Sequence, residues 1–243
     1  MQDFLIFFIV ASIGGFISVP IGGSFLFVIP AFLFLGLDGL TAVLLGRILM
    51  IASMGSASGH FFLTQKFEWK RILFFLSGNF IGYAFAAKLL NSLNADTVTK
   101  LVPWVLLIGS ILLIKDVKIT NQKYQKIILR LIPFFGLLLG FYAGLGGGGN
   151  GKIIVLLLTL ALNWQIKKSI INTRLIELIG NIIAVTLYLY FGTKITGHEI
   201  PVILGGLIGG YLGAKVLIKS KPSWLKYAFL FLVLVSAIKV SFF

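Results

Sequence analysis

GGFISVPIGGSFLFVIP (Gly14–Pro30) and GFYAGLGGGGNGKIIVL (Gly140–Leu156) line up with each other across the two halves of the chain. Each sets a Gly-rich break between two apolar runs. Glycine permits backbone conformations closed to other residues, so such a break tends to end a helix. The flanking runs are mostly short: Phe4–Val19 and Phe25–Leu37 around the first break, Ile127–Leu145 and Ile153–Leu162 around the second. A full helical crossing takes about 20 residues. Short runs on either side of glycines predict a re-entrant or short-helix hairpin with its tip inside the membrane, at Gly22–Gly23 and again at Gly146–Gly149. Two short tilted spans with a surface turn are the plainer reading of the same stretch, and the cost of hydrophobic mismatch weighs against it.

Three further apolar runs follow each hairpin. They are Leu40–Leu63, Trp69–Leu93 and Leu101–Ile114 in the first half, and Ile166–Phe191, Ile200–Leu217 and Leu225–Val240 in the second. The 243 residues are 58% hydrophobic and 12% charged, with mean hydropathy +1.05. Runs so closely spaced fit a lipid environment better than one water-soluble core, and the same numbers exclude disorder. The expected fold class is an all-α polytopic membrane protein.

Charge then orients the chain. The segments 64–71, 115–130, 163–168 and 215–226 hold fourteen of the twenty-one Lys and Arg. The N-terminus, 36–40, 91–100, 192–199 and the C-terminal end hold only Lys100, Lys194 and Lys239. Five elements per half place all four basic segments on one side, which the positive-inside rule makes cytoplasmic; fusing the first two elements of each half would break that rule. Both termini then face outward, in the cell (inner) membrane. Five is odd, so the halves have opposite orientation: a first repeat over residues 1–114, a cytoplasmic linker over 115–126 and a second repeat over 127–243. The net charge of +14 is the footprint of these loops and does not call for nucleic acid.

Other classes drop out on inventory. Without cysteine there are no disulfides, thiolate metal sites or cysteine nucleophiles. His60 and His198 are too few and too far apart for a metal site. Glu177 is the only acid deep in a long span, so an intramembrane enzyme lacks a base or a carboxylate pair. No cofactor is expected.

The internal repeat extends beyond the glycines. TAVLLGRILMI matches KKSIINTRLIEL and pairs Arg47 with Arg174, while GYAFAAKLL matches GGYLGAKVL and pairs Lys88 with Lys215; both pairs are 127 residues apart. Inverted repeats with broken helices are the architecture of many secondary transporters, with the substrate near the midplane.

The sequence resembles the TauE/SafE family of sulfite-exporter-like membrane proteins over nearly its whole length. The resemblance rests on GGSFLFVIP (Gly22–Pro30) followed by TAVLLGR (Thr41–Arg47), repeated as GLGGGGNGKIIV (Gly144–Val155) followed by SIINTR (Ser169–Arg174). The second copy lacks the Pro, and the first has Gly-Arg where a Thr-Ser type motif is frequent. The resemblance implies export of sulfite, an organosulfonate or another small anion.

An anion in hydrocarbon needs donors and positive charge. Two broken helices can aim their N-terminal N–H groups at one point, which nominates Gly22, Gly23 and Ser24 in one half and Gly148, Gly149, Asn150 and Gly151 in the other. The same glycines would serve close helix packing. Arg47, Lys88, Lys152 and Arg174 fall inside apolar elements, where each costs roughly 2.5–3.5 kcal/mol at mid-depth. Lys88, near a helix end, reads as snorkelling. Arg47, Lys152 and Arg174 read as counter-charge for the anion, with buried structural pairing as the alternative. Glu177 and Asn181 share a helix face with Arg174 at i+3 and i+7. Glu177 is either a structural partner of Arg174 or a proton-coupling carboxylate. Asn172 and Thr173 add donors, for ligand or for neighbouring helices. Together these predict a secondary transporter that exports a small oxyanion by alternating access. A small-anion channel and a membrane protein with a structural role are the alternatives. The expected partners are a small anionic substrate and the lipid bilayer, with homo-oligomer formation left open.

Overall fold

The computed structural model describes residues 2–21, 24–62, 67–114 and 125–217. These residues form helices α1 (Gln2–Ile21), α2 (Phe25–Phe34), α3 (Gly39–Phe62), α4 (Trp69–Ser92), α5 (Ala95–Ile114), α6 (Gln125–Gly144), α7 (Asn150–Leu162), α8 (Ile166–Tyr190) and α9 (Glu199–Leu217). The apolar run Leu225–Val240, nearly all of the linker and the candidates Gly22 and Gly23 lie outside the described residues. Among the described residues four stretches are long and apolar enough to cross a membrane: Gln2–Val19, Gly39–Gly59, Trp69–Ser92 and Lys168–Tyr190. The chain is therefore an all-helical polytopic membrane protein.

The expectation that the hairpin arms are mostly short holds for the second arm of each. α2 has 10 residues and α7 has 13, whereas α1 and α6 each have 20. A 10-residue helix is about 15 Å long, half of the ~30 Å hydrocarbon core. α1 extends beyond the apolar run Phe4–Val19 at both ends. Gly14 and Gly15 lie within it as contact points: a Cβ on Gly15 would stand 2.9 Å from the carbonyl oxygen of Gly206 on α9. α6 is long because polar Gln125 and Lys126 continue the helix ahead of the apolar run. α5 likewise begins ahead of its apolar run, where the Asn94 side chain accepts the Thr97 N–H at 2.7 Å.

Glycine also sets the helix pairing. α1 lies along α9, and α6 along α4. Cβ atoms on Gly205, Gly209 and Gly213 would fall 2.5, 2.1 and 2.4 Å from the carbonyls of Phe8, Ser12 and Phe16. Cβ atoms on Gly78 and Gly82 would fall 1.8 and 2.2 Å from the carbonyls of Pro133 and Leu137. Only glycine admits backbones this close, and in a membrane such packing takes the place of the hydrophobic drive between helices. α3 and α8 pack on each other; α3 also packs on α9, and α8 on α4.

The loops gather at two ends. At one, Phe7 stacks on His198 at 4.2 Å, the Gly39 N–H donates to Thr99 Oγ1 at 2.7 Å, and Thr193 Oγ1 donates to Asn91 at 2.9 Å. At the other, Lys168 pairs with Glu68 at 2.7 Å, and the Glu68 N–H donates to Asn172 at 3.0 Å. The first end joins segments poor in Lys and Arg; the second joins the basic segments 64–71 and 163–168.

Candidate functional site

The chain breaks inside the protein between α6 and α7. Gly146 and Gly149 hold φ of +91° and +80°, a region that strains any L side chain. The Gly146 N–H bonds the Ala143 carbonyl at 2.9 Å and the Gly147 N–H bonds that of Tyr142 at 3.1 Å, closing the end of α6. The Tyr142 hydroxyl donates to the Gly148 carbonyl at 2.9 Å. Gly146 to Gly151 are all buried, as irregular backbone at membrane depth must be.

α2 begins in matching surroundings. Ser24 is buried, its carbonyl accepts the Phe27 and Val28 N–H groups at 2.9 and 2.8 Å, and its hydroxyl lies 2.9 Å from Met50 Sδ. The two starts touch: a Cβ on Gly148 would meet the Leu26 side chain at 2.7 Å and the Leu26 backbone nitrogen at 3.4 Å. Two helix N-termini thus converge on one buried point. The first amides of each helix precede its own hydrogen-bond ladder, and the dipoles make the point positive.

Arg174 and Glu177 stand against the same turn. Arg174 Nη1 pairs with Glu177 Oε2 at 2.5 Å, and both side chains are buried. A Cβ on Gly151 would lie 2.4 Å from Glu177 Oε1 and 3.3 Å from Arg174 Nη1. Glu177 Oε1, Arg174 Nε and Thr173 Oγ1 are buried without a hydrogen-bond partner. The Asn181 side chain donates to the Glu177 carbonyl at 2.7 Å. Lys152 follows Gly151 in the first turn of α7 and is half-buried.

Two candidates sit elsewhere. Arg47 is fully buried and turned to the C-terminal end of α6. Its Nη2 donates to the Ala143 carbonyl and, at 3.1 Å, to that of Gly144, and Nη1 donates to Asn181 Oδ1 at 3.2 Å. The rings of Phe25, Tyr83 and Tyr188 surround its guanidinium, with centroids at 5.6, 5.1 and 5.3 Å. Arg47 therefore caps the negative end of a helix inside an aromatic box. Asn172 works at the basic end, accepting the Glu68 N–H and donating to the Lys168 carbonyl at 2.9 Å.

Sequence reasoning missed Tyr83, Tyr188 and Tyr142. The Tyr188 hydroxyl donates to the Gly144 carbonyl, beside Arg47. Their one signal is a phenol in an apolar run, whose hydroxyl needs a buried partner.

A buried point of helix N-termini and an ion pair, inside a polytopic bundle, defines a membrane transport protein more readily than any other class. The profile of the family described as "Sulfite exporter TauE/SafE" matches residues 7–240, and the chain belongs to that family. A "Probable membrane transporter protein" of Haemophilus influenzae is 27% identical over 221 residues, covering 89% of this chain and 86% of its own. The "Probable membrane transporter protein YfcA" of Escherichia coli is 22% identical, covering 88% and 81%. The "Probable membrane transporter protein ORF9" of a Sinorhizobium species is 24% identical, covering 86% and 79%.

Proposed function

We propose that this chain is a secondary transporter that exports a small oxyanion, of the sulfite or organosulfonate class, by alternating access. The observation that carries this reading is the meeting of the α2 and α7 N-termini beside Arg174, at Gly148 and Leu26. Buried amides and a guanidinium suit an anion stripped of water. In this reading the ligand set is Gly22, Gly23, Ser24, Gly148 to Gly151, Lys152, Thr173 and Arg174, while Arg47 shapes the α6–α7 break.

The halves act as inverted repeats, residues 1–114 and 127–243, moving against each other around the tips. Reciprocal packing supports this, with α1 on α9 answered by α6 on α4. The basic end is cytoplasmic and both termini face outward, by the positive-inside rule.

Thermal unfolding of the purified protein against sulfite, sulfate, thiosulfate, sulfonates and carboxylates tests the substrate class, since a ligand that binds only the folded state raises the midpoint. Stabilisation by sulfur oxyanions above carboxylates is expected; stabilisation by cationic or neutral solutes alone would refute it.

A further inference from the structure

Binding a monovalent anion beside a pre-existing ion pair raises a problem of charge. Arg174 and Glu177 are neutral together, and an anion held at the first turn of α7 would lie against the Glu177 carboxylate. Two like charges sharing a buried site disfavour each other strongly, so one of them is driven to take a proton. Two features of the pair answer the problem. Glu177 Oε1 has no hydrogen-bond partner, although it is fully enclosed. It also faces the first turn of α7, where Gly151 leaves it room that a Cβ would fill.

We infer that Glu177 takes up one proton for each monovalent oxyanion bound, so that this protein carries the anion and the proton together. The inference rests on the oxyanion site proposed above and names the co-substrate of that site. In the empty state the Glu177 carboxylate neutralises Arg174. On binding, a proton from water goes to Glu177, its ion pair with Arg174 is released, and the guanidinium turns its charge to the anion. The new carboxyl O–H can donate to an anion oxygen, where the bare carboxylate would repel it. One proton enters with one negative charge, so binding leaves the net charge of the site unchanged.

The groups around Glu177 fit this exchange. On its own helix the charged neighbour is Arg174. α3 brings Arg47, linked through Asn181. α4 brings Tyr83, whose hydroxyl lies 3.3 Å from where a Cβ on Gly180 would sit. α7 brings Gly151 and, next in sequence, Lys152. Among these described neighbours Glu177 is the one carboxylate, and so the proton acceptor of the site.

Titration calorimetry of the full chain in detergent tests this, using methanesulfonate and ethanesulfonate as probes. Both stay anionic near neutral pH, so any proton uptake belongs to the protein. Repeating the titration in buffers of different ionisation enthalpy counts the protons. Close to one proton taken up per anion is expected, with affinity falling about tenfold per pH unit above the carboxylate's titration, the slope of a one-proton linkage. Glu177→Gln should bind either sulfonate with no proton uptake and no pH dependence. Wild-type binding that Arg174→Gln weakens, but with no proton uptake, would overturn proton coupling and leave the oxyanion site standing. Binding of neither sulfonate, or equal binding by wild type and Arg174→Gln, would overturn the site itself. Should Glu177→Gln fail to fold, the wild-type proton count decides alone.

Discussion

Arg47 and Arg174 occupy matching positions in the two halves, yet their surroundings differ in kind. Arg47 is spent on the Ala143 and Gly144 carbonyls, Asn181 and three rings. The Ala143 carbonyl keeps the Gly146 N–H and the Gly144 carbonyl keeps the Tyr188 hydroxyl when Arg47 is removed, but three bonds to a charged group are lost together, so Arg47→Gln should lower stability by roughly 3 kcal/mol or more, and Tyr188→Phe by about 0.5–1.5 kcal/mol. Thermal unfolding in detergent measures both. An Arg47→Gln protein that melts like wild type but no longer responds to oxyanions would return Arg47 to the ligand set. Lys152→Gln should weaken anion binding by about 1.5–3 kcal/mol, the range for a hydrogen bond to a charged group; unchanged affinity would remove Lys152 from the site. Spacing alone made part of this legible. Arg174, Glu177 and Asn181 fall on one helix face, and helix geometry brings them together. Arg47 could be identified as a buried cation, but its partners lie 96 to 134 residues away, beyond the reach of any local pattern.

At the scale of elements, glycine carries two meanings that composition does not separate. Gly146 and Gly149 end helices through positive φ, while Gly14, Gly15, Gly78 and Gly82 lie within helices at close contacts. The consecutive run Gly146–Gly149 marked the break; α1 seemed short because the apolar run Phe4–Val19 stops before the helix does at both ends. The existence and order of the described helices followed from apolar runs, because lipid demands a minimum length. Starts set by polar groups, such as Asp38 accepting the Leu40 and Thr41 N–H groups at 3.0 Å, were harder to place. Gly82→Ala and Gly209→Ala should each reduce folded, monodisperse protein, since the added carbon would fall 2.2 and 2.1 Å from a carbonyl oxygen. Gly59→Ala, with nothing within 4 Å, is the control. Equal yields of all three in size-exclusion chromatography would refute the close helix contacts.

For the whole molecule, the Lys and Arg split separated the loops into two groups, and the contacts of Glu68 with Lys168 and of Asn91 with Thr193 each join loops of one group. Charge in loops acts at insertion, so it leaves a mark in sequence; packing between distant helices leaves no such trace. A Cys pair replacing Asn91 and Thr193 should form a cross-link, given the 2.9 Å contact of the native side chains. An impermeant reagent should label a single Cys at Lys194 in intact cells and leave one at Gln122 unlabelled. Labelling at Gln122 alone would reverse the orientation. The central claim, that the α2 and α7 tips with Arg174 carry an oxyanion across the membrane, is tested most directly by counterflow in proteoliposomes. Uptake of labelled methanesulfonate should accelerate with unlabelled methanesulfonate inside, as in a carrier, and should be lost in folded Arg174→Gln/Glu177→Gln protein. No accelerated exchange by the wild type, or undiminished exchange by the double variant, would contradict it.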